Sequence, residues 1–103
     1  TNTLAVGTAI DAVVRWTLAQ DGNSDVRSVN ALVGETNDRN LNDVRALPVT
    51  PEHVTRAITS AASGPVAEGA VGAGTGTVAF GWKGGIGTSS RLVRRGGGPE
   101  ASW

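Results

Sequence analysis

The residues able to do chemistry fall into two glycine-rich stretches and a few isolated side chains. Gly69-Ala-Val-Gly-Ala-Gly-Thr-Gly76 exposes backbone amides that can cradle an anion. A Walker loop, however, ends in Lys followed by Ser or Thr, whereas Thr77-Val78 follows these glycines. A dinucleotide fingerprint needs Gly-x-Gly-x-x-Gly opening a helix. Gly72, Gly74 and Gly76 alternate instead, and they lead into a strand-like run. Nucleotide binding is disfavoured on both counts. Gly84-Gly85-Ile86-Gly87-Thr88 repeats the same property beside the hydroxyls of Thr88, Ser89 and Ser90. Two readings stay open: tight backbone packing, or the approach of a substrate or another chain to the main chain.

The isolated side chains carry less. His53 is the single histidine, and it falls in the first turn of an expected helix, where a surface or capping role is the simpler assignment. No Gly-x-Ser-x-Gly elbow accompanies it, which weakens a Ser-His-Asp triad. Gly22-Asn23-Ser24 looks like a self-cleavage junction by eye, but a helix-end turn explains it more simply. Thr1 has the chemistry of an N-terminal nucleophile, with its own amine as base. Zero cysteines remove disulfides, thiolate metal sites and a cysteine nucleophile, and one histidine cannot build a histidine metal cluster. No metal and no cofactor is expected.

Composition narrows the partners. Nine basic residues balance nine acidic ones, so no overall field gathers nucleic acid or an anionic membrane. No stretch approaches a membrane-spanning length of apolar residues, and the start is not signal-like; a cytoplasmic protein is the expectation. The 103 residues amount to at most one small domain. Fifteen glycines, one Phe and three Trp make an independent core doubtful.

The positioning elements divide the chain in two. Residues 5–20 are predicted as an amphipathic helix, with Ile10, Val13, Val14, Thr17 and Leu18 at helical spacing and an Asp11–Arg15 pair one turn apart. Trp16 sits beside that stripe, and Gly22 is the expected left-handed stop. Residues 1–4 read as a strand end or loop. Between 22 and 48 the chain is rich in Asn and Asp, and predicts turns and short extended pieces. Thr50-Pro51-Glu52 opens a second helix with a hydroxyl cap, a first-position proline and an acid. Its narrow stripe of Val54, Ala57, Ile58, Ala61 and Ala62 calls for close packing, with a stop near 63–65. Residues 77–82 are predicted as one strand that places Phe80 and Trp82 on the same face, followed by a loop over 83–90. A further strand is expected from Arg91, broken at Gly96-Gly97-Gly98 and resuming at Ala101-Ser102-Trp103. Such a strand would normally continue, so the chain is expected to be a fragment.

These segments together resemble a family. Gly69-Ala-Val-Gly-Ala-Gly-Thr-Gly-Thr77, followed by Phe80-Gly-Trp-Lys-Gly-Gly-Ile-Gly-Thr-Ser-Ser-Arg91, is similar to the beta-peptidyl aminopeptidase and L-aminopeptidase/D-amidase-esterase family. Thr1-Asn2-Thr3-Leu4-Ala5-Val6-Gly7, Val33-Gly34-Glu35-Thr36, Leu41-Asn42-Asp43-Val44-Arg45 and Thr50-Pro51-Glu52-His53-Val54 resemble it in the same order.

The resemblance implies an autoprocessed, N-terminal-nucleophile-like serine hydrolase of α/β (α+β) class, a four-layer αββα sandwich. Its precursor cuts itself into a larger and a smaller chain, and the new N-terminal serine of the smaller one attacks an amide or ester. Residues 1–103 would be an incomplete single domain, the middle to later part of the larger chain, partnered by the smaller chain and assembled into an oligomer of chain pairs. On this resemblance the nucleophile and the Asn-bearing oxyanion strand lie elsewhere, so no catalytic residue is expected here, and the chain alone is expected to be inactive and not to fold stably by itself. Ser89 and Ser90 match an interior run, and Thr1 becomes an interior strand end.

Glu35 matches the acid linked to recognition of the substrate's free amino group. Asn37 falls where some relatives carry a tyrosine, and an amide donates a hydrogen bond without acting as a phenol. Gly72, Gly74 and Gly76 are expected to permit a narrow crossing beside the cleft, and Lys83 either stabilises negative charge or is solvated. An inactive scaffold or interaction subunit is the non-enzyme alternative, and an ornithine-acetyltransferase-like acyltransferase is the other.

Overall fold

Asn2 starts the first helical stretch. Its Oδ1 accepts from the Ala5 amide at 2.9 Å, so Thr3–Ala5 winds as a 3-10 turn ahead of helix α1, Val6–Leu18. In the computed structural model, which describes residues 1–93 and 101–102, α1 is shorter than the 5–20 expected. The Gln20 side chain donates to the Trp16 carbonyl at 2.8 Å, and Asn23 Nδ2 to that of Thr17 at 2.7 Å. These side-chain donors take over carbonyls at the end of the helix. Gly22 follows at φ 88°, the left-handed stop. Residues 22–24 are therefore a helix-end turn.

The buried face of α1 differs from the predicted stripe. Ala5, Ala9 and Ala12 are the buried apolar residues of the described chain, while Ile10 and Leu18 are exposed. Small residues win because they let α1 approach helix α2, Pro51–Thr59, closely. The larger apolar residues Ile10 and Leu18 are left open. The Asp11–Arg15 pair forms as expected, with Nε to Oδ2 at 2.7 Å.

Helix α2 begins where Thr50 and Pro51 predict and stops early. The Thr50 amide donates to His53 Nδ1 at 3.1 Å, which gives the histidine a capping role. At the other end the hydroxyls of Thr59 and Ser60 donate to the Arg56 carbonyl at 3.3 and 2.6 Å. They join the Ser60 amide, which donates to the same carbonyl at 2.9 Å, and α2 ends at Thr59 rather than near 63–65. No residue of α2 is buried: Val54 and Ile58 are half-buried and Ala57 is exposed. The small-residue stripe is only partly covered.

The glycine-rich half is built from main-chain contacts. Gly69 and Ile86 form an antiparallel bridge, each amide donating to the other's carbonyl at 2.8 Å. Strand β1, Val78–Ala79, pairs antiparallel with β2, Trp82–Lys83. The expected single strand over 77–82 is thus a hairpin, with Phe80 and Gly81 as its two turn residues at φ 53° and 81°. Positive φ at both central positions matches the twist of a two-residue hairpin, and Gly81 adopts it freely. The turn lets the Gly84 amide reach the Thr77 carbonyl at 2.8 Å. Phe80 and Trp82 consequently do not share one strand, and Lys83 and Ile86 leave the expected loop for a strand and a bridge. Strand β3, Leu92–Val93, pairs antiparallel with β4, Ala101–Ser102. The expected Gly96-Gly97-Gly98 turn, Arg94 and Trp103 lie outside the described residues.

No large side chain is fully buried among the described residues. The chain exposes 8223 Å², where a folded monomer of its mass exposes about 5,400 Å². Its radius of gyration is 16.8 Å, against about 13 Å for a self-contained domain of this length. Two small sheets and two helices, mixed α and β, make up the described architecture.

Candidate functional site

The stretch 34–38 is held against the first three residues. The Thr1 nitrogen donates to the Gly34 carbonyl at 2.9 Å, and the Thr36 amide to the Thr1 carbonyl at 2.8 Å. Asn2 and Thr36 form a parallel bridge. An extended backbone sends successive side chains to opposite sides. Glu35 and Asn37 are exposed, whereas Thr36 is half-buried and Asp38 buried. The acid and the amide singled out by resemblance therefore share one face of a two-residue period, turned away from Thr36 and Asp38.

Among the described residues Glu35 has one partner, the Thr3 hydroxyl, which donates to Oε2 at 2.5 Å. That bond orients the carboxylate and leaves it open to solvent. Asn37 Oδ1 accepts from the Arg39 amide at 3.2 Å, a local Asx turn, and its amide donors have no partner among the described residues. Two titrating groups are shifted, and both lie on the helices. A hydrogen bond from the Thr50 hydroxyl holds the Glu52 carboxyl below the ordinary carboxylate range, and the bond to Asp11 raises Arg15.

The opposite face borders a cavity of about 430 Å³ lined by Thr1, Thr36, Asp38, His53 and Gly72, among others. Of the three alternating glycines only Gly72 lines it, at φ 51° with open space where a Cβ would stand. Gly74 and Gly76 are close-packing positions. A Cβ on Gly74 would stand 2.7 Å from the Ile86 nitrogen, and one on Gly76 would stand 2.6 Å from Asp38 Cβ. A Cβ on Gly85 would likewise stand 2.9 Å from the Gly69 backbone. At these positions the approaching atoms belong to the protein itself: main chain at Gly74 and Gly85, and the Asp38 and Asn42 side chains at Gly76.

Lys83 is exposed, and its ammonium is engaged by main-chain carbonyls. Its Nζ donates to the Gly74 and Gly84 carbonyls at 2.5 and 2.6 Å, tying the Gly72–Thr75 turn to the hairpin. No hydrogen bond among the described residues joins Glu35, Asn37 and Lys83. Ser89 and Ser90 are exposed in a loop, and Thr88 donates to Glu68 at 2.9 Å. No group of three His, Cys, Asp or Glu able to hold a metal occurs among the described residues, and no helix there is long and apolar enough to cross a membrane.

Asp38 is the residue that sequence reasoning missed. Its main-chain carbonyl accepts from Leu41 and Asn42, and its Oδ2 accepts from Asn42 Nδ2 at 2.7 Å. The signal was the Asp38-x-x-x-Asn42 spacing inside an Asn- and Asp-rich loop, where such side chains bind each other and the main chain.

Known proteins place this geometry. Residues 1–101 match the family described as peptidase family S58. The chain belongs to family S58. Its relatives include the beta-peptidyl aminopeptidase BapA of Sphingosinicella microcystinivorans, 50% identical over 101 residues, which cover 94% of this chain and 24% of that protein. The BapA of Sphingosinicella xenopeptidilytica is 43% identical over 97 residues, 93% of this chain and 24% of the relative. The chain thus spans about a quarter of the length of the curated relatives it matches.

Among solved structures, the L-aminopeptidase D-Ala-esterase/amidase of Ochrobactrum anthropi superposes with a TM-score of 0.72 at 41% identity, over 93% of this chain and 28% of that one. That protein is described as a prototype of the serine aminopeptidases and a variant of the N-terminal-nucleophile hydrolase fold. The S58 chain has the same type of fold over the matched residues, with mixed α and β elements.

Proposed function

We propose that these residues are part of the larger chain of an autoprocessed serine aminopeptidase or amidase, which releases N-terminal residues from short peptides, amides or esters. The observation that carries this reading is the 50% identity to a beta-peptidyl aminopeptidase across almost the whole chain. The complete protein is then a four-layer αββα sandwich, formed with a smaller chain from the same precursor, assembled into an oligomer and located in the cytoplasm. The missing core agrees with this reading: Ile10 and Leu18 on α1, and Phe80 and Trp82 on the hairpin, are apolar and open.

In the proposed reaction a serine hydroxyl on the smaller chain attacks the substrate carbonyl. The amine or alcohol leaves, an acyl ester remains on the serine, and water hydrolyses it. Glu35 binds the ammonium at the substrate's free end. Its exposure in this chain makes the closing wall the work of the smaller chain, since the attraction grows as water is excluded. Asn37 offers its amide donors beside Glu35, in place of a phenol. Residues 1–103 by themselves hold no nucleophile for this reaction and are inactive alone.

The test begins with intact masses and N-terminal sequences of every polypeptide made from the full gene. A second chain beginning with Ser, together with release of amine from a beta-amino acid amide, supports the proposal. A second chain beginning with Thr points to acyl transfer, and no cleavage at all leaves a scaffold. In the processed enzyme, Glu35→Gln raises KM for free-amine substrates about tenfold or more, on the scale of a charged hydrogen bond, with a smaller change in kcat. An unchanged KM removes Glu35 from the site.

A further inference from the structure

The cavity between the 36–38 stretch, α2 and the Gly72–Thr75 turn is lined by two residues with buried polar atoms that have no partner among the described residues. Asp38 is 9% exposed; its Oδ2 takes the Asn42 amide, while its Oδ1 is buried and unpartnered. The Thr1 hydroxyl oxygen is buried and unpartnered as well. Both residues line the same space of about 430 Å³. A buried carboxylate oxygen without a donor is strongly unfavourable, and neither atom has surface through which bulk water can satisfy it. Pro48, Val49 and Ala57 supply apolar wall. His53 also lines the cavity, but its Nδ1 is already engaged with Thr50.

We propose that this cavity seats a primary ammonium on an aliphatic stem, accepted by Asp38 Oδ1 and the Thr1 hydroxyl. The single uncommitted carboxylate oxygen selects the ammonium over a guanidinium, whose fork is matched by both oxygens of a carboxylate. A metal lacks the further carboxylates or imidazoles it needs here. The apolar wall fits the methylenes of the stem.

The ammonium comes from outside the 103 residues. Lys83 is the only lysine of this sequence, and its Nζ is bound to the Gly74 and Gly84 carbonyls. Two sources share the required chemistry: a lysine side chain elsewhere in the longer polypeptide, or a free alkylamine. The site lies across the extended stretch from Glu35 and does not rest on the proposed reaction.

The experiment uses the polypeptide as its gene encodes it. A water-soluble carbodiimide joins a carboxylate to an amine in contact with it, so peptide mapping reads the neighbour of Asp38 directly. A crosslink from Asp38 to a lysine outside residues 1–103, absent in Asp38→Asn, supports the proposal with a tethered ammonium. Without a crosslink, saturable binding of n-butylammonium chloride, weakened at least tenfold in Asp38→Asn, supports it with a free one. Should Asp38→Asn fail to fold, Thr1→Val removes the second acceptor at nearly constant volume and carries the binding comparison. No crosslink and no saturable binding overturn the proposal, as does n-butylammonium binding that is undiminished in Asp38→Asn or, where that variant does not fold, in Thr1→Val.

Discussion

The two halves of this chain are held together by different atoms. From Thr1 to Ser60 contact runs largely through side chains: the alanine face of α1 against α2, the Asn2 and His53 caps, and the Asp38–Asn42 pair, with main-chain pairing between distant segments confined to residues 34–36 against Thr1 and Asn2. From Gly69 to Ile86 it runs through the main chain: the Gly69–Ile86 bridge, Gly84 on Thr77, and Lys83 on two carbonyls. The difference teaches how a segment with almost no apolar burial keeps a defined path. Glycine lets backbones approach until their amides and carbonyls pair, and the absence of a Cβ becomes the packing feature.

The sharpest way to break this contrast is to add atoms to the second half. Gly74→Val should destabilise the gene-encoded protein by about 3 kcal/mol, the upper range for overpacking, as read by denaturant unfolding. A neutral result would mean that the Gly69 and Ile86 backbones are not in close contact there. Removing the ammonium comes next. Lys83→Met deletes two bonds to carbonyls and should cost about 1–2 kcal/mol, because a partly exposed charged bond is worth less than a buried one. Lys83→Arg should restore part of that loss.

In the first half the effects are smaller and tied to caps. His53→Ala should cost about 1 kcal/mol by the same unfolding measurement, the usual value of a lost N-cap interaction. Glu52 adds a pH dependence of known sign. Its folded pKa is depressed, so its contribution is present above the unfolded carboxylate pKa and is lost as pH falls through the folded value. Glu52→Gln should flatten that acid limb, and an unchanged limb would assign it to other carboxylates. The contrast closes with a glycine of the first half. Gly7 lies in α1 with nothing within 4 Å of the point where a Cβ would stand, so Gly7→Ala should stabilise by about 0.5–1 kcal/mol. The same type of substitution thus changes sign between the two halves.

Legibility followed the same division. Helix starts were readable because caps are local: Thr50-Pro51 names the beginning of α2, and Gly22 marks the stop after α1. The buried face of α1 was not, because it depends on what α1 meets, and close approach to α2 favoured Ala9 and Ala12 over Ile10 and Leu18. The hairpin at Phe80-Gly81 was hidden for another reason. A phenylalanine at positive φ is costly in isolation, and the pairing of Val78 with Lys83 and of Gly84 with Thr77 offsets that cost. At the candidate site, resemblance supplied Glu35 and Asn37, while the extended alternation that separates them from Thr36 and Asp38 emerged only with the fold.

The sequence by itself determined the family, the helix caps, the glycine-rich character of the second half and the balanced charge. These follow from residue types and short spacings, which act within a turn or two of chain. The tertiary structure alone decided that Gly74 and Gly76 accommodate the protein's own neighbouring segments while Gly72 borders a cavity, that Lys83 fastens two loops, and that Asp38 is buried with one oxygen unpaired. Each of those outcomes depends on atoms brought together from distant positions, and burial and pairing are properties of the assembled neighbourhood rather than of the residue.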